Sequence, residues 1–247
     1  MNLTLRVIAA AAAAATVACA GPTARDGGRG GLDWPAFEPP GAGETVYRID
    51  RQASRVLARV DPAGPMARLG HSHVVGGRVV GGRLIVGDDG VRADFRLRAA
   101  DFGVDEPAWR RAHGLDPELY AEAIAGTRRN LLGPDVLDAA AHPTLDVRTV
   151  DVAGPGWLPD VTLRVRWRGR VHEYTLPVAV RRADGRIEMT GRLDLHHSDF
   201  GLTPFSAAGG ALRVSDRIAV RFEIAAVAER RDVAIIAARS NARESRP

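Results

Sequence analysis

The sequence predicts an all-β domain, a sandwich or a closed antiparallel barrel, interrupted once by helices. Three observations lead there. Stretch after stretch alternates apolar and polar residues with a period of two. The clearest is Val91-Arg92-Ala93-Asp94-Phe95-Arg96-Leu97-Arg98-Ala99, where a strand turns Val91, Ala93, Phe95 and Leu97 to one dry face. Turn residues separate such stretches at Gly154-Pro155-Gly156, Arg168-Gly169-Arg170 and Asp184-Gly185. In the middle of the chain the period lengthens to that of a helix. A barrel with an apolar inner face is also a container, and that frames the functional question.

At 247 residues, 45% of them hydrophobic, the chain can build one sizeable core. Its net charge of +4 comes from arginines spread along outward strand faces and interleaved with acids. No basic cluster surrounds aromatic residues, which argues against nucleic-acid binding. Residues 1–20 read as an export signal: Arg6, then the apolar run from Val7 to Val17, then small residues. That run is too short to span a membrane as a helix. Thr16-Val17-Ala18-Cys19 resembles a bacterial lipoprotein cleavage box, which would make Cys19 the lipidated first residue and the membrane anchor. Ala18-Cys19-Ala20 is equally a small-x-small cleavage site that discards it. A lone cysteine in an exported chain favours lipidation. Residues 21–44 are rich in Gly and Pro and read as a flexible linker, 45–228 as the domain, and 229–247 as a loosely ordered tail.

Within the domain, strands begin at Tyr47-Arg48-Ile49-Asp50 and run from Ser54 to Asp61, Val74 to Val86 and Val91 to Ala100. Gly76-Gly77 and Gly81-Gly82 mark bulges or bends of a tightly curved sheet. Helices are expected over 105–113 and 116–132, the second capped by Asp116 with Pro117 at its first position and ended by Gly133-Pro134. Leu119, Ala123, Ile124, Thr127 and Leu131 share one side of it, so it can lid one mouth of a barrel. After His142-Pro143 the alternation resumes, with Val161, Leu163, Val165 and Trp167 on one face of a strand, and Ile218, Val220, Phe222 and Ile224 on one face of another.

Chemistry rests on the histidines. In Gly70-His71-Ser72-His73 the two imidazoles are two apart, so on a strand they share a face, and parity puts His197 on the dry face with Leu193 and Leu195. Two readings stand. His71, His73 and His197 are weak candidates for metal ligands, or the imidazoles hydrogen-bond backbone or an acid at a barrel rim. The second needs fewer assumptions, because no HExxH or paired cysteine accompanies them. No Gly-x-Ser-x-Gly or phosphate loop points to catalysis, and Asp101, Asp105, Asp199 and Asp216 read as turn and cap residues. No catalytic residue and no cofactor is assigned.

The order of motifs resembles the YceI-like family. Tyr47-Arg48-Ile49-Asp50 opens the domain, followed by a Gly-rich strand pair. Asn130-Leu131-Leu132-Gly133, Leu137-Asp138 and His142-Pro143 follow, then Ser198-Asp199-Phe200-Gly201 and Val214-Ser215-Asp216. The resemblance spans about Thr45 to Val227. It implies a lipocalin-like antiparallel barrel of about eight strands with an inserted helical segment. It also implies export to the periplasm and a pocket for a long isoprenoid, such as a polyprenyl phosphate or a quinone tail. Two departures stand out. The family's usual Arg-Asp-x-His-Leu is replaced by Thr127-Arg128-Arg129-Asn130-Leu131-Leu132, and the first strands carry Gly70-His71-Ser72-His73, which leaves the head group of the ligand open.

The inward set that would line a lipid pocket is Val56, Phe95, Leu97, Leu145, Val147, Leu163, Val165, Trp167, Met189, Leu193, Leu195, Val220 and Phe222. Arg68, His71, His73, Arg129 and His197 would meet a phosphate or quinone oxygen at the mouth. The function expected is a non-catalytic, periplasmic or envelope-anchored carrier of an isoprenoid-type lipid. The alternatives are a histidine-dependent metal or redox protein and an interaction module with a filled core. A filled and a hollow barrel alternate identically, so parity leaves the last one standing. A homodimer is plausible for a barrel with an unblocked sheet edge.

Overall fold

In the computed structural model, residues 23–25, 37–88 and 90–229 are described. The expected export signal with Cys19, and the expected tail from residue 230, lie outside them. Fourteen elements follow in chain order. They are β1 (Thr23–Arg25), β2 (Thr45–Ile49), β3 (Arg55–Ala63), β4 (His73–Gly87), β5 (Gly90–Arg98), β6 (Gly103–Val104), α1 (Pro107–Ala112), α2 (Ala121–Leu132), β7 (Thr144–Ala153), β8 (Asp160–Trp167), β9 (Arg170–Ala183), β10 (Arg186–His196), β11 (Ser206–Ala207) and β12 (Leu212–Ala228). The strands form one antiparallel sheet that closes on itself, because β9 pairs with β8 on one side and β10 on the other. The result is a barrel of 8 strands. Closure pairs the long strands with one another around the wall.

β2 and β3 occupy one position in the wall, since both pair with β12 on one side and β4 on the other. Asp50 makes the break between them. Its Oδ1 accepts the N–H groups of Gln52 (3.1 Å) and Ala53 (3.2 Å), a side chain standing in for the ladder. Buried Ser54 repairs the ladder by donating to the carbonyl of Ala225 (3.2 Å) and accepting from its N–H (3.0 Å).

The expected glycine bends are there, for two different reasons. β4 shifts register against β5 between Val79 and Gly81, and Gly82 sits at φ +148. His73, Val75 and Val79 therefore face inward before the bulge, Leu84 and Val86 after it. Gly76 and Gly77 are close approaches: a Cβ on Gly76 would lie 2.5 Å from the Trp109 ring, and one on Gly77 2.9 Å from Phe102. The turns Arg168-Gly169 and Asp184-Gly185 each hold both central residues at positive φ, the type I′ geometry that matches strand twist.

The polar half of the alternation becomes an ion-pair ladder on the outside. Asp94 faces Arg148 (2.6 Å), Asp146 takes Arg96 (2.6 Å) and Arg166 (2.7 Å), and Glu173 takes Arg164 (2.7 Å) across β5, β7, β8 and β9. Residues 37–44, expected as linker, lie on this wall. Phe37 packs beneath Arg148 (5.3 Å) and Glu44 binds Arg92 (2.5 Å). Likewise Thr23–Arg25, also within the expected linker, pairs as β1 with Glu173–Thr175 of β9.

Two boundaries differ from expectation. α2 starts at Ala121, not Asp116, and Pro117 is not its first residue. Asp116 caps an Asx turn instead, accepting the Glu118 N–H (2.9 Å), while its carbonyl is taken by Arg110 Nε, which holds this segment off the helix. The strand expected to carry His71 begins only at His73, because Ala67–Leu69 is a 3-10 turn.

Candidate functional site

The barrel is hollow. A cavity of about 1250 Å³ runs along its axis, with a wall of mainly Val, Leu, Ile, Phe and Met side chains. That exceeds the roughly 300–1,000 Å³ of ordinary small-molecule sites. All thirteen expected lining residues, from Val56 to Phe222, face it: Val56, Phe95, Leu97, Leu145, Val147, Leu163, Val165, Trp167, Met189, Leu193, Leu195, Val220 and Phe222. Sequence reasoning left out others on the same wall, including Val60, Val75 and Val79. Val60 and Val75 also follow from parity, whereas Leu84 and Val86 needed the β4 bulge.

The two ends differ chemically. One carries the hairpins after β4, β7 and β9. The other gathers the β3–β4 loop, both helices between β5 and β7, the β8–β9 turn and the segment between β10 and β12. At this helical end Thr127, Arg129, Asn130 and Leu131 of α2 reach the cavity, as do His73 and His197. The expected head-group residues therefore split. His73, Arg129 and His197 line the cavity; Arg68 and His71 do not, and both are exposed. The reason is the 3-10 turn, which ends the period of two before His73, so His71 no longer shares its face.

His73 is held from behind. Its Nδ1 lies 2.6 Å from Asp105 Oδ2, and the other carboxylate oxygen accepts the Val74 N–H (2.9 Å) and Arg110 Nη1 (2.8 Å). The Asp105 and Arg110 side chains are 0% and 5% exposed, the His73 side chain 28%. Arg110 donates also to the carbonyls of Ser72 (2.9 Å) and Asp116. Burial pushes the Asp105 carboxyl up, but the bonds from His73, Val74 and Arg110 outweigh it and hold the group below its ordinary range. Asp105 thus corrects the expectation of a turn residue: it is a buried anion at φ +54, joining α1 to β4. No local pattern marks this. Asp105, Arg110 and His73 meet only because β6 pairs with β4 and α1 folds back over it.

His197 is 7% exposed, and its Nδ1 lies 3.0 Å from the Asp216 carbonyl. Asp216 also accepts the N–H (2.9 Å) and Oγ (2.6 Å) of Ser198, and Asp199 accepts the buried Tyr174 hydroxyl (2.7 Å). Among the described residues no group of three or more His, Cys, Asp or Glu side chains is placed to hold a metal ion. His71 points away from the cavity that His73 and His197 share.

A family model described as the YceI-like domain matches residues 47–226. Solved structures with the same barrel include BcnA of Burkholderia cenocepacia. It is 15% identical, with a TM-score of 0.51 over 72% of this chain and 98% of that one. A polyisoprenoid binding domain from Saccharophagus degradans, implicated in plant cell wall breakdown, is 16% identical, with a TM-score of 0.49 over 74% and 98% of the two chains. A Campylobacter jejuni YceI protein is 13% identical, with a TM-score of 0.42 over 57% and 73%. No curated protein matches the sequence. At these identities the likeness is one of fold.

Proposed function

Since the chain belongs to the YceI-like family, we propose that it is a lipid-binding protein that carries a long isoprenoid-type chain inside its barrel without transforming it. The observation that carries this reading is the hollow, apolar interior. At about 30 Å³ each, roughly 40 waters would fit there, facing a wall that offers them few hydrogen bonds. A buried hydrocarbon gains about 0.8 kcal/mol per CH2, so each five-carbon unit is worth up to about 4 kcal/mol before ordering costs. The elongated shape suits a chain rather than a compact ligand. The helical end, with His73, Arg129, Asn130 and His197, gives a head group a place beside α2.

The proposal includes location. The export signal argues for the periplasm, with Cys19 as a lipid anchor where the lipoprotein box is cleaved. The mass of the mature N-terminal peptide decides between an acylated Cys19 and its removal.

The lipid reading is tested by native and denaturing mass spectrometry of protein purified from a bacterial envelope. A stoichiometric excess mass that is lost on denaturation and matches an isoprenoid is expected. Titration of the delipidated protein with C10, C15 and C20 prenyl compounds should then show affinity rising with each added unit. A bare native mass together with no binding at any length would overturn the reading.

A further inference from the structure

We propose that His73 reads the head group of the bound lipid as a hydrogen-bond acceptor, so that the site selects a chain ending in a hydroxyl donor, a prenyl alcohol or a hydroquinone. This rests on the lipid-carrier reading and goes beyond it. Asp105, an ionised carboxylate, can only accept, so His73 Nδ1 carries the hydrogen between them. In the neutral ring the lone pair is then on Nε2. No protein partner takes that nitrogen among the described residues, and the ring lines the cavity.

His197 is wired in the same sense. A backbone carbonyl only accepts, so the Asp216 carbonyl fixes the hydrogen on Nδ1 and leaves Nε2 as the acceptor. The two rings stand at the same end of the barrel. His73 opposes Val60, Val60 opposes Ile218, and Ile218 opposes Leu195, two residues before His197. An apolar chamber with acceptors fixed at one end discriminates by what it leaves unpaired. A ligand without a donor buries a lone pair with no partner, and a site built for a hydroxyl rejects analogues lacking it.

The charges around His73 point the same way. Arg110 is ion-paired with buried Asp105 and also donates to the carbonyls of Ser72 and Asp116, so its charge is balanced on the far side of the ring from the cavity rather than offered to a phosphate. Arg129, exposed at the same end, is the group through which a phosphate would compete. Asp105 and Arg110 are positioning residues, acting on the ligand only through the imidazole.

The test uses three probes with one chain, titrated into the delipidated full-length protein by calorimetry: geranylgeraniol, its methyl ether and geranylgeranyl phosphate. The alcohol should bind about tenfold tighter than the ether, the value of one buried hydrogen bond. His73→Phe should bring the two within about twofold, weakening the alcohol and tightening the ether as the unpaired lone pair is removed. Asp105→Asn is the sharper variant. Its oxygen must face Val74 N–H and Arg110, so its amide faces His73 Nδ1 and donates to it, moving the ring hydrogen to Nε2. The alcohol's preference over the ether should then vanish in protein that circular dichroism shows folded, which a purely structural role of Asp105 would not produce. Equal, tight binding of alcohol and ether to the unmodified protein overturns the inference and leaves the carrier reading standing. Tighter binding of the phosphate than of the alcohol overturns it in favour of an anionic head group at Arg129. Binding of none of the three overturns both.

Discussion

Replacing Asp105 by alanine should destabilise the fold far more than replacing any other acid of the barrel. The carboxylate is wholly buried and the Arg110 guanidinium it neutralises is only 5% exposed, so Asp105→Ala strands a cation with no route to water. Breaking one partner of such a pair costs about 3–5 kcal/mol, and the orphaned Val74 N–H pushes the cost toward the upper end. For a chain of this size that corresponds to a fall in Tm of roughly 6–20 °C. Asp146 is the internal control. It is as deeply buried, but its partners Arg96 and Arg166 are 56% and 35% exposed and can turn to solvent, so Asp146→Ala should cost about 1 kcal/mol or less. Urea unfolding followed by tryptophan fluorescence reads both, with an unchanged slope showing that only stability has moved. The double variant Asp105→Ala with Arg110→Met should recover at least half the loss, because it removes the stranded charge with its partner. Equal costs for Asp105→Ala and Asp146→Ala, or no recovery in the double variant, would refute the reasoning.

Acid should act through the same group. The folded Asp105 carboxyl lies below its ordinary value of 3.8, so its stabilisation is present above that value and drains away as pH falls through the lower folded one. Unfolding curves should therefore show the gap between the unmodified protein and Asp105→Ala narrowing as pH falls below about 4. Val165→Trp projects an indole into empty cavity rather than into packed core, so it should weaken prenyl binding at least tenfold while moving the unfolding midpoint little. Calorimetric titration with geranylgeraniol checks this, and undiminished affinity would place the lipid elsewhere. Gly76→Ala drives a methyl to 2.5 Å from the Trp109 ring and 2.9 Å from Leu57, so a loss of about 1–3 kcal/mol is expected, relieved by pairing it with Trp109→Leu.

What the sequence determined by itself is the inside and outside of the wall. A strand's two faces are set residue by residue, so Val161 to Trp167 and Ile218 to Ile224 could be assigned inward with no knowledge of their neighbours, and the arginines between them outward. The turns were equally local, since Arg168-Gly169 and Asp184-Gly185 need positive φ and nothing else. Tertiary structure decided the rest. Alternation is the same for a filled and an empty barrel, and only closure of β8 on β9 sets the radius that leaves the interior hollow. Parity also fails where a strand is interrupted, which moved His71 outside and shifted β4's inward set past Gly81. The Arg110–Asp105–His73 chain was the least visible. Its members take ordinary places in a loop, a short helix and a strand start. They become a site because packing α1 against β4 removes water from Asp105 and Arg110, so the carboxylate must find its partners in Arg110 and in the half-buried His73.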